Sequence, residues 1–256
     1  MDLSHPVFDA VRPWHERLAA GGATLEALNS LVEAAGVRTE GGRPVRFVPP
    51  GGSDAYYEMR VFETGRVETR PQNRHDLFNA LAWLAFPKTK ARINAMHAAA
   101  IPRERGRRGP LRDALTLLDE GGAIVECDDR ELIQMLRGFR WKELFWGNRH
   151  RVRRAMRIQV LGHAVLDAAL KPWPGITCKA IFVQDGGDAD AQAAAWLAAL
   201  GEDATPRELA PLPIFGYPGW FPGNDRAGFY GDTRYFRPFR KTPDGTEAVE
   251  LRPGVG

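Results

Sequence analysis

The sequence predicts a single α+β domain of helices with short β-hairpins, closed by an aromatic, Pro/Gly-rich C-terminal wrap. Three observations carry this expectation. Two stretches place Gly-containing turns between apolar runs, at 63–66 and 119–122, the signature of hairpins, which a purely parallel sheet would lack. Several segments repeat apolar residues at helical spacing. From 211 to 240, Pro211, Pro213, Pro218, Pro222 and Pro238 alternate with Gly216, Gly219, Gly223, Gly228 and Gly231 among nine aromatic rings. Such a density of breakers forbids a long regular element, and so many rings are expected to be buried against the body of the protein.

At 256 residues the chain buries roughly 70–75% of its unfolded surface, so it folds without a disulfide or metal staple. With 44% hydrophobic residues and a net charge of +3, disorder throughout is excluded. The most apolar windows, 77–86 and 191–200, are about half the roughly 20 residues a membrane span needs. The start of the chain carries no positively charged region followed by an apolar stretch, so a cytoplasmic location and no membrane association are expected. Cys127 and Cys178 fit no metal-ligand spacing and are expected as buried free thiols.

In chain order, residues 6–36 read as helical, stopped by Gly36. A Gly/Pro loop spans 41–52. The runs 56–62 and 67–70 flank Gly65 as the first expected hairpin. A strongly apolar helix covers 73–86, and Pro87 opens a second over 88–100. A basic loop follows at 101–109, then the second expected hairpin, 114–118 and 123–127. Asp128 or Asp129 caps a helix running to about 139. Residues 141–170 read as helix, with a break near Gly147-Asn148. A strand follows at 176–183 and a last helix at 190–200. The domain is expected over 5–240, with 241–256 a flexible tail.

Charge is unevenly placed. Basic runs at 88–112 and 137–157 flank an acidic stretch from Asp113 to Glu131. Arginine clusters suit phosphate or carboxylate groups, because the guanidinium donates in pairs; the plainer alternative is mutual neutralisation of the three runs.

The residues most suggestive of chemistry lie on the helices at 73–86 and 88–100. His75 and Asn79 stand one turn apart, as do Asn94 and His97. An antiparallel pairing across Pro87 brings two imidazoles and two amides together. The alternative is that Asn73 or Asp76 caps the helix and the histidines satisfy backbone groups. Asp113 follows the arginine run next to Arg112, whereas Asp119 and Glu120 read as turn residues. His163 and Asp167 form a third pair at helical spacing, in which a carboxylate orients an imidazole. The run 139–146 interleaves cations with aromatics. There is no Walker loop, Gly-x-Gly-x-x-Gly, His-Glu-x-x-His or Gly-x-Ser-x-Gly, which removes the usual warrant for nucleotide-binding, zincin and α/β-hydrolase readings.

Several runs together resemble one family, the proteobacterial domain-of-unknown-function family 3025. They include Tyr56-Tyr57-Glu58-Met59-Arg60, Arg74-His75-Asp76-Leu77-Phe78-Asn79-Ala80-Leu81, Phe86-Pro87-Lys88-Thr89-Lys90 and Arg112-Asp113-Ala114-Leu115-Thr116-Leu117 with Asp119-Glu120. Further along come Trp141-Lys142-Glu143-Leu144-Phe145, Gly162-His163-Ala164, Pro218-Gly219-Trp220, and Phe229-Tyr230 before Asp232-Thr233-Arg234. The resemblance implies no activity.

The leading functional expectation is an enzyme, a metal-dependent hydrolase acting on an anionic substrate. His75, His97 and Asp113 are the expected metal ligands or acid/base groups, Asn79 and Asn94 orient them, and Arg112 with Arg105 holds the anion. The alternative is a non-catalytic nucleic-acid-binding protein that grips phosphate with its arginine runs and stacks bases on Trp141, Phe145 and Trp146. A third reading makes the polar helix pair purely structural.

Overall fold

The computed structural model describes residues 1–18, 22–51, 56–104 and 106–239; Arg105 and the expected tail at 241–256 lie outside the described residues. The α+β class holds: two small sheets are surrounded by helices that share one body.

The first third of the chain builds a helical rim with a two-stranded sheet. A 3-10 turn at Pro6–Phe8, α1 (Arg12–Leu18) and α2 (Leu25–Ala34) occupy the region read as helical. Strand β1 (Arg46–Val48) follows, its free edge covered by Asn29, whose amide donates to the Phe47 carbonyl and accepts from the Phe47 N–H. The first expected hairpin does not form. Residues Tyr57–Thr64 are helix α3, and Gly65 supplies the left-handed conformation (φ 73°) as its C-cap, donating to the Val61 carbonyl. The chain then enters β2 (Arg66–Glu68), which pairs with β1 in parallel, Phe47 opposite Val67. A Cβ at Gly65 would lie 2.1 Å from the Pro44 carbonyl oxygen, so side-chain bulk is excluded there as well.

Helices α4 (Arg74–Ala85) and α5 (Pro87–Ala100) match expectation closely. The Asn73 side chain caps α4 by accepting from the Asp76 N–H, and Pro87 begins α5 where its missing N–H costs nothing. The first free N–H groups of α5 are taken by a carboxylate from another helix. Asp190 accepts from Lys88 N and Thr89 N, both at 2.8 Å, and ties α5 to α10 (Ala189–Ala198).

The second expected hairpin also gives way to a helix. Pro110 opens α6 (Pro110–Gly121), and Ala114, Leu115 and Leu118 are buried while Leu117 is exposed, the period of a helix rather than a strand. Asp119 and Glu120 therefore occupy the last turn of α6. Strand β3 (Gly122–Glu126) follows at once, buried along its whole length. Asp129 caps α7 (Arg130–Arg137).

The region read as one broken helix divides into four elements: a π turn at Glu143–Gly147, α8 (Arg149–Ala155), strand β4 (Arg157–Val160) and α9 (His163–Ala169). The break does fall at Gly147-Asn148, but the strand is not signalled, because apolar Ile158 and Val160 sit inside a run of helix-compatible residues. Strands β5 (Cys178–Val183) and β6 (Ala210–Leu212) complete a sheet of order β4-β3-β5-β6, with β3 and β5 parallel and both outer strands antiparallel to them.

The C-terminal wrap buries its rings as composition predicts. Trp220, Tyr230, Tyr235 and Phe236 are buried, and the two tyrosine hydroxyls are satisfied: Tyr235 donates to the Ile176 carbonyl and Tyr230 to that of Asn224. Both cysteines are buried and free. No helix among the described residues is long and apolar enough to cross a membrane.

Candidate metal centre in a polar cleft

Five helices surround a cleft of about 450 Å³. Three of them contribute residues at helical spacing. Helix α4 presents His75, Asn79 and Trp83; α5 presents Lys90, Asn94 and His97; α6 presents Thr116, Asp119 and Glu120. Helix α3 adds Tyr57 and Glu58, and α9 begins with His163. The expected meeting of His75, Asn79, Asn94 and His97 therefore occurs, although Asn79 bonds Lys90 (2.8 Å) rather than Asn94.

The centre of the cleft is Glu120. Its Oε2 lies 3.2 Å from His75 Nε2 and 3.3 Å from His163 Nε2, and the two rings meet edge-to-face with centroids 4.5 Å apart. Each imidazole turns its other nitrogen toward a second carboxylate. His75 Nδ1 lies 3.5 Å from Asp76 Oδ1, and His163 Nδ1 lies 3.7 Å from Asp119 Oδ2. Both outer carboxylates are anchored by a cation. Arg70 grips Asp76 with two guanidinium nitrogens at 2.8 and 2.9 Å and its own backbone N–H at 2.7 Å, which holds that carboxyl at about 2. Lys90 donates to Asp119 and sits 5.7 Å from the Trp83 ring centroid. Burial acts to raise the Asp119 pKa, but the Lys90 ammonium outweighs it and the net shift is downward.

A close backbone crossing places His163 on these carboxylates. A Cβ at Gly162 would lie 2.5 Å from both Gly121 Cα and Gly122 N, so α9 can start against the end of α6 only through glycine. Gly162 N and Leu161 N both donate to the Gly122 carbonyl at this crossing.

A neutral imidazole has one proton for its two nitrogens. Burial lowers the pKa of His163, so the neutral form is favoured, and whichever nitrogen lacks the proton points its lone pair at a carboxylate. His75 likewise has a carboxylate on each side, Asp76 and Glu120. A cation between the two Nε2 atoms and Glu120 would take both Nε2 lone pairs, with the imidazole protons on Nδ1, facing Asp76 and Asp119. The spacing suits it: donors about 2.1 Å from a tetrahedral ion lie about 3.4 Å apart. Among the described residues, His75, Glu120 and His163 form the group with metal-ligand geometry, all three donor atoms within 4.8 Å of one another.

Other expected site residues lie elsewhere or do other work. Asp113 stands in the first turn of α6, more than half exposed, paired with Arg108 Nε at 2.8 Å and outside the cleft. It is not positioned to complete a centre with His75 and His97, because the segment it was read to precede is a helix that carries it away. Arg112 is buried and committed: it donates to Glu104 (2.8 Å) and, through Nε, to His97 Nδ1 (3.2 Å), so no free fork remains to hold an anion. Arg105 lies outside the described residues. Asp167 pairs with Arg74, not with His163. Trp141 and Phe145 are buried in the core, which removes two of the three rings expected to stack nucleic-acid bases, and Trp146 is partly covered by the Arg149 guanidinium.

His97 is nevertheless in the cleft wall. Accepting from Arg112 at Nδ1 fixes its proton on Nε2, and burial with the Arg112 charge lowers its pKa to about 4. Its unfolded pKa near 6.5 is higher, so unfolding takes up a proton between those values. Stability is therefore full above about pH 6.5, falls as pH drops toward 4 and levels off below. Urea unfolding at stepped pH checks this, with His97→Gln expected to flatten the slope across that window.

The residues that sequence reading missed are Lys90, counted as one of a basic run, and Asp119 with Glu120, read as a turn. The available signal was the spacing of Thr116, Asp119 and Glu120, which is that of one helix face. A family model described as "Protein of unknown function (DUF3025)" matches residues 45–240, which span every residue of the cleft named above. No curated protein and no solved structure matches the chain. The match covers more than half of the sequence, and the chain belongs to the DUF3025 family.

Proposed function

We propose that the cleft is the active site of a metal-dependent hydrolase, with a divalent first-row metal held by His75, His163 and Glu120. The observation that carries this reading is the convergence of the His75 and His163 Nε2 atoms on one oxygen of Glu120, with the other nitrogen of each ring turned toward a second carboxylate. Two histidines and one carboxylate are a recurring catalytic donor set that leaves positions open to water and substrate. A bound ion there supplies Lewis-acid polarisation and brings the pKa of water toward neutrality.

The protein groups divide the remaining work. Asp76 and Asp119, at 3.5 and 3.7 Å from the two Nδ1 atoms, favour the Nδ1–H tautomer by their charge, and are each held in turn by Arg70 or Lys90. Tyr57, bonded to Asn79, has its pKa raised by burial and by the Asp119 charge, so it remains a hydroxyl donor toward negative charge developing on substrate. Glu120 and His75, each about 40% exposed, face the open side of the centre.

The test is hydrolysis of a panel of amide, ester and phosphoester substrates by the purified protein. Chelator-treated protein, the same protein with Zn²⁺, Mn²⁺ or Fe²⁺ restored, and Glu120→Gln are compared. The reading predicts turnover of one ester or amide class that requires added metal and falls at least a hundredfold in Glu120→Gln. Turnover indifferent to both chelator and Glu120→Gln would contradict it.

A further inference from the structure

The cleft carries more negative than positive charge. Glu58, Glu68, Asp76, Asp119 and Glu120 line it against Arg70 and Lys90, and both cations are already engaged, by Asp76 and by Asp119 with Asn79. Glu58 on α3 and Asn94 on α5 add two acceptors to the lining. The Glu58 carboxylate is about a quarter exposed, and among the described residues its nearest cation is Arg112, at 3.8 Å, beyond hydrogen-bond length. Beside it, Asn94 is 6% exposed and its Oδ1 has no donor. The identity of that atom is fixed by the other end of the amide, since Nδ2 donates to the Glu58 backbone carbonyl at 2.8 Å. A carboxylate whose one cation stands at 3.8 Å and a neighbouring amide oxygen without a donor leave this part of the lining short of hydrogen-bond donors.

We infer that the ligand of this cleft carries a cationic nitrogen group, an ammonium or guanidinium, seated against Glu58 and Asn94 with its reacting bond toward His75, Glu120 and His163. The inference rests on the reading of the cleft as a substrate site. A cationic donor satisfies both acceptors at once, which neither a neutral carbonyl nor an anion does. It also accounts for the engaged state of Arg70 and Lys90, which leaves an anionic group without a partner on the protein. Glu68 does not compete for the cation, because it accepts from Gly51 N and pairs with Arg60.

The experiment compares butylguanidine with butylurea, its uncharged isostere, by calorimetric titration of the full chain and of Glu58→Gln. The expected result is at least tenfold tighter binding of butylguanidine than butylurea, with the preference lost in Glu58→Gln while zinc affinity is unchanged. Equal binding of the two probes, or a preference that survives Glu58→Gln, overturns the inference. A crystal of the unaltered protein soaked in butylguanidine gives a reading that does not depend on the variant folding. A guanidinium within hydrogen-bond distance of the Glu58 carboxylate supports the assignment, and one seated elsewhere overturns it. Failure of the metal reading is separately visible: the protein then keeps its guanidinium preference and binds no metal.

Discussion

Replacing Lys90 with methionine is expected to lower the stability of the protein by about 2–4 kcal/mol, as read by urea unfolding. The side chain is 4% exposed, and its ammonium is the direct partner of Asp119 and of the Asn79 carbonyl oxygen. Methionine fills the space but leaves a carboxylate and an amide oxygen without their donor. A fully buried pair broken in this way costs about 3–5 kcal/mol; Asp119 retains some access to water, which places the expectation somewhat lower. Removing both charges together, in Lys90→Met with Asp119→Leu, is expected to recover most of the loss, because no unpaired ion then remains. That recovery separates ion pairing from simple packing. A double variant no more stable than Lys90→Met would show that the loss does not come from leaving the Asp119 charge unpaired.

The second large effect is expected at Gly162. Alanine there puts a methyl group 2.5 Å from Gly121 Cα and Gly122 N and 2.6 Å from the Glu120 carbonyl oxygen. These are backbone atoms at the junction of α6 and β3, so relief requires α9 to move away from α6. The expected cost is about 2–4 kcal/mol. The displacement also carries His163 away from Glu120, so Gly162→Ala is expected to lose metal affinity together with stability. Alanine at Gly228, where a Cβ meets nothing within 4 Å, is the control and should leave both quantities unchanged.

How far these features were legible in the sequence depends on how local their causes are. Helices α4 and α5 were legible because Asn73 and Pro87 mark their starts and their residue types are helical throughout. Gly65 was read correctly as a left-handed residue but assigned to a hairpin, since the same conformation closes a helix and only tertiary contact with Pro44 distinguishes the two uses. Residues 114–118 were misread although Ala114, Leu115 and Leu118 follow a helical period; Gly122 serves a close approach to the Leu118 carbonyl oxygen, 2.2 Å from where its Cβ would lie, rather than a hairpin turn.

The site divides along the same line. His75 with Asn79, and Asn94 with His97, were legible because each pair is separated by one helical turn. The partnership of His75 and His163 with Glu120 joins residues more than forty positions apart, and it depends on a glycine crossing that composition does not announce. Asp113 and Arg112 were attractive as an adjacent pair, yet neighbours on a helix point in different directions, one to solvent and one into the protein.

The central claim is that His75, Glu120 and His163 hold one metal ion. The most direct measurement is titration of chelator-treated protein with Co²⁺, followed by visible absorption, alongside His163→Ala and Asp119→Asn. The account predicts one Co²⁺ per chain with the intense visible bands of a tetrahedral or five-coordinate nitrogen/oxygen site. Those bands should be absent in His163→Ala, and in Asp119→Asn they should persist with affinity weakened about 10–100-fold. No saturable Co²⁺ binding, or a spectrum unaltered in His163→Ala, would contradict it.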